Sequence, residues 1–131
     1  LTTIHIAAAL LIRPDGQTLL MRKRGASAFM QPGGKIGLGE MPDAALAREL
    51  REEIDLDVEP ASFEVLGAFS AESSNEPGHR VHADVFLVRT EQLHFHPAAE
   101  IEEVNGFRRS TLTAWRSPRS PRITSFRITG S

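Results

Sequence analysis

Apolar residues along the chain fall into short alternating runs on either side of one segment with helical spacing. Between Thr2 and Gly16, Ile4, Ile6, Ala8 and Leu10 alternate with their neighbours, which predicts a strand closed by the turn residues Pro14-Asp15-Gly16. The run TLLMRKR, Thr18–Arg24, is its expected hairpin partner. From Pro42 to Ile54 the period lengthens, and Leu46, Leu50 and Ile54 form one apolar stripe of a helix. Pro42 suits the first helical turn and Asp43 complements the positive end of the helix dipole. Asp55 stands where the helix should stop, in a left-handed conformation that Asp adopts less readily than Gly. Alternation returns in Ser62–Ser70, in Val81–Thr90 through Val81, Ala83, Val85 and Leu87, and briefly in Glu100–Phe107. The polar segment Ala71–Arg80, with Pro77-Gly78, reads as a loop. No internal repeat is visible. Strands on both sides of a central helix predict a mixed α/β domain.

Composition narrows the class. The chain has 131 residues, 40% of them apolar and 24% charged, which suits one soluble domain with a single core. It has no cysteine, so disulfide frameworks and thiolate metal sites are excluded and a cytoplasmic location is expected. The longest apolar run, Ile6–Ile12, is far short of the ~20 residues that cross a bilayer and has no basic leader. Neither a membrane nor a signal peptide is expected.

The net charge of −2 hides an asymmetry. Arg108, Arg109, Arg116, Arg119, Arg122 and Arg127 lie in a tail, Gly106–Ser131, that has no acidic residue. The first 105 residues therefore carry about −8. The expected organisation is a domain over 1–105 and a divergent basic tail over 106–131, in which Pro118 and Pro121 oppose a helix. Three readings of the tail stand: a basic arm for nucleic acid or a partner, a change of reading frame, and a divergent terminus. Elsewhere the acidic body argues against nucleic acid.

The stretch PGGKIGLGEMPDAALARELREEIDL, Pro32–Leu56, carries the chemistry. At 100° per residue, Glu52 lies about 60° to one side of Glu49 and Glu53 about 40° to the other, so the three share an arc of roughly 100°. That arc borders the apolar stripe, where side chains can converge on a bound ion. The three carboxylates repel one another, which Arg48 and Arg51 partly relieve. Alone, RELREE describes a solvated helix face. The glycines just before it permit close approach of backbone to ligand, and the combination favours a hard divalent cation shared with substrate phosphates.

This arrangement resembles the signature of the Nudix hydrolase family, of MutT-like type: Gly-x5-Glu-x7-Arg-Glu-U-x-Glu-Glu-x-Gly-U, with U a bulky aliphatic residue. Gly34, Glu40, Arg48, Glu49, Leu50, Glu52, Glu53 and Leu56 fill its positions, and Asp55 replaces its glycine. The likeness runs roughly from Ile4 to Val104. It implies an α/β/α sandwich around a mixed β-sheet, and hydrolysis of a diphosphate linkage in a nucleotide or a nucleoside diphosphate-linked compound. By position it implies that Glu49, Glu52 and Glu53, with the carbonyl of Gly33, hold Mg²⁺ (or Mn²⁺). Arg48 would orient the glutamates, while Gly34 and Glu40 support the loop. The base that activates water varies within the family. Glu72, Glu76 and Glu100 are the candidates here, with Glu76 preferred and a solvated loop acid the plain reading of each.

Phe29, just before the glycine loop, is a candidate substrate contact; Phe107 and Trp115 are expected to pack. His79, His82 and the pair His94 and His96 lack an evident third metal ligand and are read as structural or solvated. Marks of particular substrate subfamilies are missing: Ala71-Glu72-Ser73 stands where a proline or tyrosine would, leaving a nucleoside triphosphate or other small nucleotide by elimination. The alternative from another class is a Nudix-fold regulatory module that binds a nucleotide without turning it over. Oligomeric state is left open.

Overall fold

The computed structural model describes residues 2–72, 78–108, 112–116 and 123–128. The elements are β1 (Thr2–Ile12), β2 (Thr18–Lys23), β3 (Gly33–Lys35), α1 (Pro42–Ile54), β4 (Glu64–Glu72), β5 (His79–Arg89), β6 (Ile101–Phe107), β7 (Leu112–Arg116) and β8 (Ile123–Ile128). A six-stranded sheet runs β4-β5-β1-β2-β6, and the short β3 also pairs with β1. Among the described residues only β1 and β5 pair in parallel, with Thr2 opposite His79 and Ile12 opposite Arg89; their other pairings are antiparallel. The sheet is therefore mixed, as expected, and among the described residues α1 is its one α-helix.

β1 is central because both its faces are apolar, as strands covered on two sides require. The helix-side core joins Ala7, Ala9 and Leu11 of β1 to Leu46, Leu50 and Ile54 of α1 and to Phe86 and Val88 of β5. This is the opposite phase from the alternation that marks the strands in the sequence. Ile4, Ile6 and Leu10 occupy the other face and are half-buried. Alanine on the helix side lets α1 lie close to the sheet. Leu46 and Leu50 are fully buried, and truncating either to alanine would cost about 3 kcal/mol.

The helix spans Pro42–Ile54 as its spacing predicts, with Pro42 in the first turn. It ends at Asp55, whose φ of 55° and ψ of 40° place it in the left-handed region. The N–H of Leu56 then reaches back to the Leu50 carbonyl at 3.2 Å, and buried Leu56 closes the end against the core. β4 begins at Glu64 rather than Ser62, because Pro60–Ser62 form a 3₁₀ turn. At its other end β4 continues through Glu72, into what reads as a loop in the sequence. In the tail, β7 and β8 pair antiparallel as a separate two-stranded sheet.

Candidate active site

Two glycines are set by close approach. Gly33 has φ 149°, and a Cβ there would lie 2.1 Å from the Ala7 carbonyl oxygen. A Cβ on Gly34 would lie 2.5 Å from the Glu49 carboxyl carbon. The loop thus pairs with β1 as β3 while admitting the α1 carboxylates against its backbone.

The Gly33 N–H donates to Glu53 Oε1 at 3.2 Å. Glu53 is only 3% exposed, and it is the sole buried charged side chain among the described residues. Burial pushes its carboxyl up to about 7; the Gly33 hydrogen bond pulls the other way, and the Glu49 and Glu100 charges add to the rise. Glu49, Glu53 and Glu100 line one pocket of about 530 Å³, a size that suits a small organic ligand. Lys23 and Lys35 line it too.

Arg48 organises the outer side of the helix. Its Nε and Nη2 donate to the two oxygens of Glu40, each at 2.8 Å, in a bidentate pair. Nη1 donates to Glu49 at 3.1 Å and to Glu52 at 3.2 Å, and Nη2 also reaches the Lys35 carbonyl at 3.2 Å. Glu40 further accepts from the Gly37 N–H at 2.7 Å. The Arg48 guanidinium and that N–H together hold the Glu40 carboxyl at about 2. The same bonds push the Arg48 pKa further up. Arg48 and Glu40 therefore couple loop to helix.

The helical arc is split. Glu49 and Glu53 face the pocket, whereas Glu52 has a side chain 57% exposed, is held by Arg48 and does not line it. The 60° that separates Glu52 from Glu49 carries it past the pocket rim. Among the described residues no three His, Asp or Glu side chains are gathered closely enough to hold a metal as they stand. The donor chemistry nevertheless suits a hard divalent cation: three carboxylates share one pocket, and burial keeps the most enclosed of them from ionising readily even with Lys23 nearby.

Of the loop acids, Glu100 lies in the pocket, Glu72 is exposed at the end of β4 opposite Arg80, and Glu76 is outside the described residues. Phe29 packs edge-on against Phe107 at 5.1 Å and does not line this pocket. Trp115 lies on β7, and its side chain is outside the described residues. His82 bonds Ser70 Oγ through Nδ1 at 2.9 Å and packs near His5, consistent with a structural histidine. Lys23, Met30 and Gln31 are pocket residues that sequence spacing does not single out. They come from the end of β2 and the loop after it, which only the strand order brings beside α1.

The family model for the NUDIX domain matches residues 3–124 of the chain, which includes much of the basic tail. An RNA pyrophosphohydrolase of Marinomonas sp. (strain MWYL1) is 41% identical over 58 residues, 44% of this chain and 35% of that protein. An 8-oxo-dGTP diphosphatase of Haemophilus influenzae is 40% identical over 57 residues, 40% of this chain and 42% of that protein. The chain thus matches less than half the length of these curated relatives. In fold it is similar to the crystal structure of a MutT NUDIX hydrolase from Burkholderia pseudomallei, at a TM-score of 0.73 and 21% identity, covering 92% of this chain and 94% of that one.

Proposed function

Because the chain belongs to the NUDIX domain family, we propose that it is a cytoplasmic hydrolase that uses a divalent cation, Mg²⁺ or Mn²⁺, to cleave a diphosphate linkage in a nucleotide or nucleoside diphosphate-linked compound. The observation that carries this reading is the pocket in which buried Glu53 faces Glu49 and Glu100 beside Lys23 and Lys35. A diphosphate is itself anionic, so a site made of carboxylates alone would repel it; the lysines and a cation reverse that sign. Glu49 and Glu53, with the Gly33 carbonyl, would hold the cation from within the pocket, and Glu52 would join them only on leaving Arg48 and turning in from the rim; the cation would polarise the phosphoryl oxygens and acidify a water.

The chain's own groups would do the rest. Lys23 and Lys35 attract and orient the phosphates from the pocket wall. Arg48 fixes Glu49 and, through Glu40, ties the loop to the helix. Glu100, which lines the pocket, would take the proton as the water oxygen bonds to phosphorus and the bridging P–O bond breaks, leaving two phosphate products. Its place in the pocket favours it as the base over Glu72.

The test is phosphate or nucleotide release from a panel of nucleotide and nucleoside diphosphate substrates. It is run with Mg²⁺, with Mn²⁺ and with chelator, and with Glu53→Gln as control. Release by the natural protein that depends on the cation and is lost in the variant is expected. Release no faster than the variant's across the panel would defeat the reading in favour of a nucleotide-binding module.

A further inference from the structure

Gln31 is the one uncharged polar side chain among the described residues that line the pocket. Its Nε2 is shut off from solvent without a hydrogen-bond partner among those residues. An amide left in that condition destabilises the free protein, a cost that a polar ligand can remove. Its backbone is held on both sides. Met30 exchanges two hydrogen bonds with Met21 of β2, at 2.9 and 2.7 Å, and the Pro32 carbonyl accepts from Ala9 of β1 at 2.9 Å. Gln31 thus bridges the gap where the edge of β1 passes from β3 to β2. Swinging the amide requires only rotation about its soft terminal torsion, with no movement of the chain.

The other lining residues divide by chemistry. Glu49, Glu53, Glu100, Lys23 and Lys35 are charged and suit phosphates and a cation. Ile6, Ala8 and Met30 supply an apolar wall, and Met30 is 45% exposed. A neutral amide beside an apolar wall matches a flat ring whose edge carries hydrogen-bonding groups. We propose that Gln31 is the base-reading residue of this pocket: it hydrogen-bonds the edge of a nucleobase that lies along Ile6, Ala8 and Met30, while the charged side takes the phosphates. This rests on the proposed function for the nature of the ligand, and it names what selects among nucleotides. Gln31 would be a specificity residue that touches the base and takes no part in the chemistry.

The experiment measures binding, so that it does not depend on turnover. Non-hydrolysable imido analogues of the four common nucleoside triphosphates, and tripolyphosphate as a probe without a base, are titrated calorimetrically into the natural protein and Gln31→Leu with Mg²⁺ present. Expected is about a tenfold loss of affinity in Gln31→Leu for the best-bound nucleotide, because one buried hydrogen bond is removed. Tripolyphosphate affinity should stay within about twofold. The unfolding temperature of the variant should equal or exceed the natural one, since leucine leaves no unpaired amide.

A merely structural role predicts a lowered unfolding temperature and equal weakening of both probe types. That result overturns the proposal, as does nucleotide affinity unchanged by the substitution, or natural protein that binds no nucleotide better than tripolyphosphate. Hydrolysis, assayed separately, bears only on the proposed function: a protein that reads bases through Gln31 but releases no product keeps this inference and loses the other.

Discussion

Replacing Glu53 with glutamine should make the cation-free protein more stable in alkali while abolishing its activity. Glu53 is 3% exposed and titrates near 7, against 4.5 for a free carboxyl. An acid whose pKa is raised on folding works against the fold wherever the unfolded chain ionises first. Below about pH 4.5 both states are protonated and the cost vanishes; it grows up to about pH 7 and is constant beyond. From the two pKa values the full cost is roughly 3 kcal/mol. Glutamine keeps an acceptor for the Gly33 N–H but brings amide hydrogens that need partners, which offsets some of the gain. Urea unfolding of both proteins in chelator should therefore show the advantage of Glu53→Gln growing by about 2 kcal/mol between pH 5 and pH 8.5. Added Mg²⁺ should stabilise the natural protein and narrow the gap, because only the carboxylate gains from the cation. A gap that stays level with pH, or that favours Glu53 in alkali without cation, would refute the claim that burial of this carboxyl outweighs the compensation that Lys23 offers.

Asp55→Gly should raise stability by about 0.5–1 kcal/mol, since glycine takes the left-handed helix end without strain and removes a negative charge from the negative end of the dipole; a lower melting temperature would show that Asp55 makes a compensating contact. Gly33→Ala should cost more than about 2 kcal/mol, because its Cβ would lie far inside van der Waals contact with the Ala7 carbonyl oxygen, and a melting temperature near the natural one would contradict the pairing of β3 with β1. Arg48→Lys should lower kcat about tenfold with KM little changed, since a single ammonium cannot make the bidentate pair with Glu40 and still hold Glu49. A rise in KM alone would assign Arg48 to substrate binding instead.

The helix, its ends and its buried stripe are legible because a 3.6-residue period and a proline at the start are local properties. A supporting part for Glu40 and Arg48 comes from the family signature rather than from the period, and the pair they form spans only loop and helix. Strand phase is not legible. β1 and β5 are apolar on both faces, so alternation locates them without saying which face α1 covers. The pocket is still less visible, because Lys23, Gln31 and Glu100 meet only once β2, the glycine loop and the turn before β6 are arranged around β1. Phe29 illustrates the hazard: its place before the glycine loop suits a ligand contact, yet its ring packs on Phe107 and does not line the pocket. Angular position on a helix wheel also proves too coarse for Glu52, which the wheel groups with Glu49 and Glu53 and the fold turns outward.

The parallel pairing of β1 with β5 has a consequence for how the chain reaches this structure. Each matched pair in it, from Thr2 with His79 to Ile12 with Arg89, joins residues about 77 positions apart, whereas the hairpin from β1 to β2 closes over a five-residue turn. Closing the longer loop costs roughly 2 kcal/mol more in chain entropy, and nothing repays it until eleven residues pair together. During synthesis, β1 must therefore wait for Arg89 with only its local partners. The glycine loop, α1 and Glu53 all lie within that closure, so the acidic pocket is completed late, and a chain cut before β5 would leave the centre of the sheet as an open edge.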